Sequence, residues 1–117
     1  FNFVEESNAL GQTTFEREAG KIASETMVDD VKLITDMIKE VMNQHKDLSG
    51  PSVLTEALKK TIEYMEDKIQ KTPQSKHSTP EYIKYKIQLE RLKKMLLERR
   101  DELSLLRKYE NKVKLTG

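Results

Sequence analysis

The chain has 117 residues, of which 35% are charged, 36% hydrophobic and 6% aromatic, with a formal net charge of +1. It contains no Cys, which excludes a disulfide framework and cysteine-based metal sites. No apolar run approaches the roughly 20 residues that span a bilayer, and the opening "FNFVEESNALGQ" lacks the basic and apolar regions of a signal peptide.

The length is that of one domain with a modest core. Abundant charge with 4 Gly and 3 Pro fits long helices, whose outer faces must be charged, better than sheets or barrels. The lack of Cys fits a reducing, cytoplasmic setting, and the missing initiator Met leads us to expect a segment of a longer protein. Charge is unevenly spread. Residues 13–48 hold five basic and eight acidic side chains, whereas residues 73–117 hold twelve basic and six acidic ones. The acidic and basic halves can pair internally, or the basic end can meet an acidic partner.

Residues 1–12 read as an N-terminal extension, either disordered or a short apolar plug of Phe1, Phe3 and Val4. The single helical domain is expected over 13–117. A first helix is predicted over 13–46, opened by the capping box Thr13–Glu16. Phe15, Ala19, Ile22, Ala23, Met27, Val31, Ile34, Ile38 and Val41 recur at three- and four-residue steps. Val28, Leu33, Met37 and Met42 widen that stripe, which implies neighbours on two sides. Gly20 is its weak point, at about 1 kcal/mol against Ala.

"HKDLSGPS" ends the first helix, with Gly50 permitting the bend and Pro51 suited to the first turn of the next. The second helix, over 52–71, is expected to bury Leu54, Leu58, Ile62, Met65 and Ile69. "STPE" starts the third, over 79–114, with Thr79 as cap and Pro80 in the first turn. Its heptad seam runs Tyr82, Tyr85, Leu89, Leu92, Leu96, Arg99, Leu103, Leu106, Glu110, Val113, broken at Arg99 and Glu110. Lys86, Lys93, Arg100, Arg107 and Lys114 form a basic rim. It is expected to be solvated or to pair with acids such as Asp29, Asp30, Asp36, Glu63 and Asp67. Ile83 and Ile87 lie outside the seam and are expected to meet the first helix. The fold class is therefore all-α, a three-helix antiparallel coiled coil or bundle with a long C-terminal helix.

The helix lengths do not match. The last helix outruns the second by about 16 residues, on the order of 24 Å, and this overhang carries Leu97, Leu103, Leu105, Leu106, Tyr109 and Val113. Apolar surface left in water costs about 25 cal/mol per Å², so the overhang is expected to meet another molecule. Leu97, Arg100, Leu105, Arg107 and Tyr109 are the candidate partner-binding residues.

Chemistry is not indicated. His45 and His77 are far apart and have no Cys beside them, so no metal site is expected. No phosphate loop has the required spacing, and carboxylate pairs such as Glu63 and Asp67 lie on a charged helical face without a dry cleft. No catalytic residue, cofactor or metal is predicted. Glu90, Glu98, Asp101, Glu102 and Glu110 interrupt the basic face of the last helix. This counts against nucleic acid and against a membrane-lying role.

The helix–turn–helix "YMEDKIQKTPQSKHSTPEYIKYKIQLERLKKMLLERRDEL" resembles the antiparallel helical hairpins of small-GTPase effectors of the Rab, Rho and Ral type. "PEYIKYKIQLERLKKML" also looks like the helical domain shared by occludin and elongation factor ELL. The effector resemblance implies a non-catalytic module that reads the GTP-loaded switch surface of a GTPase through an apolar patch flanked by Arg or Lys. We expect a protein-binding or tethering module on the cytosolic face of an organelle. The alternative is a self-associating structural coiled coil, a homodimer whose second copy covers the overhang.

Overall fold

A computed structural model describes residues 14–116, excepting the side chains of residues 103, 104, 106, 107 and 109–116. The chain is all-α. The described residues form α1 (Thr14–Thr26), α2 (Val31–Gln44), α3 (Gly50–Lys71) and α4 (Pro80–Thr116), with a short 3-10 turn at Gln74–Lys76. Consecutive helices pack on one another, and α1 also touches α4.

The expected unbroken helix over 13–46 is instead two helices, and the reason lies in four residues. Met27 adopts φ 61, a left-handed conformation that ends α1. The Val28 amide then reaches back to the Ala23 carbonyl at 3.1 Å, the reverse bond of a Schellman-type helix end. Asp30 caps α2, its carboxylate accepting from the Leu33 amide at 3.1 Å. Val28 plugs the core at the break, while Met27 and Val31 turn outward. The apolar stripe thus changes register at the turn. The capping residue expected at Thr13 lies outside the described residues.

The other two boundaries follow the turn chemistry. Ser49 accepts from the Ser52 amide at 3.4 Å, with Pro51 in the first turn, so α3 begins two residues before the expected 52. Thr79 accepts from the Tyr82 amide at 3.3 Å, with Pro80 as the first residue of α4. His77 stacks on Tyr82, the ring centroids 4.3 Å apart, which braces the entry to α4.

The core is built from Phe15, Ala19 and Ile22 of α1, Ile34, Ile38 and Val41 of α2, Leu54, Leu58 and Met65 of α3, and Leu89, Leu92, Met95 and Leu96 of α4. Buried Thr residues complete it without tertiary partners. Thr26 and Thr61 donate their hydroxyls to the carbonyls of Ile22 (2.7 Å) and Ala57 (2.8 Å), the back-bonding open to Thr inside helices. The expected length mismatch is present: α4 has 37 residues and α3 has 22. Among the described side chains of α4 the last buried one is Leu96, and of those past it Arg99 is half-buried and the rest are exposed.

Candidate functional site

An α-helix turns about 100° per residue, so residues far apart in sequence can share one face. On α4 the buried residues Gln88, Leu89, Leu92, Met95 and Leu96 mark the inner face. Ile83, Ile87, Leu97 and Leu105 all fall within an arc of about 80° centred on the opposite side. Each is open to solvent, at 49%, 50%, 61% and 66% of its full exposure. The row extends about 33 Å along the helix axis, counting 1.5 Å per residue. Glu90, Lys94, Asp101 and Lys108 fall inside the same arc and are also exposed. The outer face of α4 is therefore a ladder of aliphatic side chains with charges of both signs between them.

Leu97, Arg100 and Leu105, three of the five residues expected to meet a partner, are exposed. The side chains of Arg107 and Tyr109 lie outside the described residues. Ile83 and Ile87 depart from expectation. They do not bury against the first helix: α1 stops at Thr26 and meets α4 farther along, near Met95, so only the α1–α2 turn lies beside Ile83 and Ile87.

That turn creates a feature that sequence reasoning missed. Met27, Ser78, Pro80, Ile83, Lys84, Ile87, Gln88 and Arg91 line a groove of about 510 Å³, with a second hollow around Ile87 bounded by Lys86, Glu90, Arg91 and Lys94. The groove is fixed on both walls. Gln88 Nε2 donates to the Met27 carbonyl at 2.8 Å, and Lys84 Nζ lies 2.7 Å from Asp29 Oδ2. The ammonium of Lys84 donates to the Asp29 carboxylate and holds it below the usual carboxylate range. Both side chains are well exposed, so this pair adds little to stability. It ties the α1–α2 turn to α4 through Lys84, which lines the groove.

The basic rim pairs only in part as expected. Lys93 reaches Glu66 at 3.8 Å and Glu90 at 3.6 Å, whereas the ammonium of Lys86 sits 5.8 Å from the centre of the Tyr82 ring. Asp67 pairs within α3 with Lys71 at 2.8 Å. Among the described residues no cluster of three or more His, Cys, Asp or Glu could hold a metal ion, and no described helix is long and apolar enough to cross a membrane. Tyr85 is the one described group whose ionisation shifts strongly. Burial, then the neighbouring Tyr64 and Asp30, push its phenol up to about 12, and its hydroxyl is buried without a hydrogen-bond partner. Tyr85 packs against the core, with the Lys68 ammonium of α3 lying 5.9 Å from its ring centre.

No protein-family model, no curated protein and no solved structure matches this chain.

Proposed function

We propose that the chain is a non-catalytic protein-binding module that docks its partner along the outer face of α4. One observation carries this reading: four large aliphatic residues exposed in a single arc on the side of α4 facing away from the core. Isolated exposed aliphatics are ordinary on any surface; a row of them on one face of one helix is the pattern of a helical docking surface. The distal half, Leu97, Arg100 and Leu105, combines apolar contact with a guanidinium that can form bidentate bonds to a carboxylate. Arg107 and Tyr109 extend that half in sequence.

The partner class that fits best is a GTP-loaded small GTPase, with the chain acting as an effector or tethering adaptor on the cytosolic face of an organelle. Supporting it are the helical hairpin of α3 and α4 and the apolar patch with flanking basic residues. The test is capture of a panel of small GTPases, each loaded with a non-hydrolysable GTP analogue or with GDP. Selective capture of a GTP-loaded member, lost in Leu97→Asp and Leu105→Asp while melting is unchanged, is the expected result. Equal capture of both nucleotide states, or none across the panel, removes the effector reading. Sedimentation across concentrations tests the alternative, a second copy covering the same face. A monomer at micromolar concentration is expected.

A further inference from the structure

We propose that the groove between the α1–α2 turn and the start of α4 is a second docking site, and that its occupant is a short acidic amphipathic helix of a partner protein. The site takes Ile83 and Ile87 from the proximal end of the outer face and lies about 15 Å along α4 from Leu97, counting 1.5 Å per residue from Ile87; it deepens the reading of that face, and its test uses variants separate from Leu97 and Leu105.

The first observation is backbone strain. Met27 ends α1 at φ 61, where an L-residue with a Cβ is disfavoured and Gly is the usual occupant. Strained backbone of this kind survives where the surroundings over-determine it, and it clusters at ligand clamps. Here buried Val28 and the hydrogen bond from Gln88 pin the turn. The result is a 58% exposed thioether held at the groove edge beside Ile83 and Ile87. Met is the side chain best able to repack around different apolar partners.

Charge gives the second observation. Lys84 is satisfied by Asp29, and Glu90 by Lys93. Arg91 and Lys94 border the hollow around Ile87, and neither has an ion pair among the described residues. Glu25 and Glu98 lie beyond them, in an adjoining hollow that Arg91 and Lys94 also line, without pairing to either. The groove and the hollow around Ile87 are themselves bordered by Lys84, Lys86, Arg91 and Lys94 against Glu90, a net positive rim, so the occupant that complements them is acidic. A second copy of this stretch of α4 would set Lys84, Lys86, Arg91 and Lys94 against themselves.

The fold sets the third condition. Among the described residues there is no strand, so an extended peptide finds no sheet edge to join. The recognition mode that fits an apolar groove on an all-α surface is a helix in a groove, read through apolar anchors at i, i+3 and i+4. Ile83 and Ile87 are one turn apart and match that spacing.

The test uses a synthetic peptide with Leu at i, i+3, i+4 and i+7 and Glu along both flanks, titrated into the isotope-labelled chain. Amide shifts centred on Met27, Ile83, Ile87 and Arg91 are expected, with affinity falling as salt rises. A twin peptide with Lys in place of Glu should bind at least about tenfold more weakly. Ile87→Asp and Arg91→Glu change exposed side chains and should keep the melting profile while reducing affinity about tenfold or more. Leu97→Asp and Leu105→Asp should leave peptide binding unchanged, which keeps this site distinct from the distal face. The proposal is overturned if the acidic peptide binds no better than its Lys twin. Shifts confined to the distal half of α4 also overturn it, as does a dimer in sedimentation that Ile87→Asp dissolves.

Discussion

The turn at Met27 separates two accounts of the N-terminal half, and a pair of substitutions there reads it directly. In a helix interior Ala is more stable than Gly by about 1 kcal/mol. At φ 61 the order should invert. Met27→Ala keeps a Cβ in the left-handed region, at a cost of roughly 1–2 kcal/mol. Met27→Gly removes that strain but adds unfolded-chain entropy of about 0.5–1 kcal/mol. Both variants delete the same exposed thioether, so the side-chain contribution cancels between them. Met27→Gly should therefore be the more stable by up to about 1.5 kcal/mol, with a midpoint of about 0.75 kcal/mol or roughly 4 °C in Tm for a domain near 100 residues. Gly20 supplies the opposite control. It lies inside α1, and a Cβ added there meets nothing within 4 Å, so Gly20→Ala should gain about 1 kcal/mol. Urea and thermal unfolding followed by circular dichroism give both differences. If Met27→Ala proves more stable than Met27→Gly by the helix-interior margin of about 1 kcal/mol, residue 27 continues the helix and the turn that walls the groove is contradicted.

Leu92 is fully buried and Leu105 is two-thirds exposed. Leu92→Ala should cost about 2–5 kcal/mol and Leu105→Ala no more than about 0.5 kcal/mol in the same unfolding assay. Tyr85 has a buried hydroxyl without a partner, so Tyr85→Phe should leave stability unchanged or raise it by about 1 kcal/mol. Because the folded phenol titrates near 12 and the unfolded one near 10, Tyr85 favours the unfolded chain once pH passes about 10. Stability should fall between pH 10 and 12, and less so in Tyr85→Phe. Phenolate absorbance should lose a component that titrates near pH 12 in that variant.

The turn chemistry carried most of the fold. Ser49, Pro51, Thr79 and Pro80 are residue types whose dihedral limits and side-chain oxygens act locally, and the helices they open begin within two residues of expectation. The seam residues Leu89, Leu92 and Leu96 were equally legible, because period alone separates their face from the rest of α4. The break at Met27 was not. No Gly or Pro marks it, and Met27 and Val31 fit the spacing of a continuous stripe, although the structure turns both outward and buries Val28 instead. The one local cue was Asp30, three residues before Leu33, an N-cap placed ahead of an apolar run. The candidate site divides in the same way. Exposure of Leu97 and Leu105 followed from helix lengths, which can be counted along the chain. The groove could not be read in advance, because it requires residue 27 to lie beside residues 83–91, and only tertiary packing sets that proximity.

Hydroxyl-radical footprinting of the free chain, read residue by residue by mass spectrometry, tests most directly whether the outer face of α4 is open. Ile83, Ile87, Leu97 and Leu105 should oxidise at the rates of solvent-exposed aliphatics, while Leu89, Leu92 and Leu96 stay protected. Protection of Leu97 and Leu105 to the level of Leu92 would show the chain covering that face itself and would contradict its assignment as a docking surface.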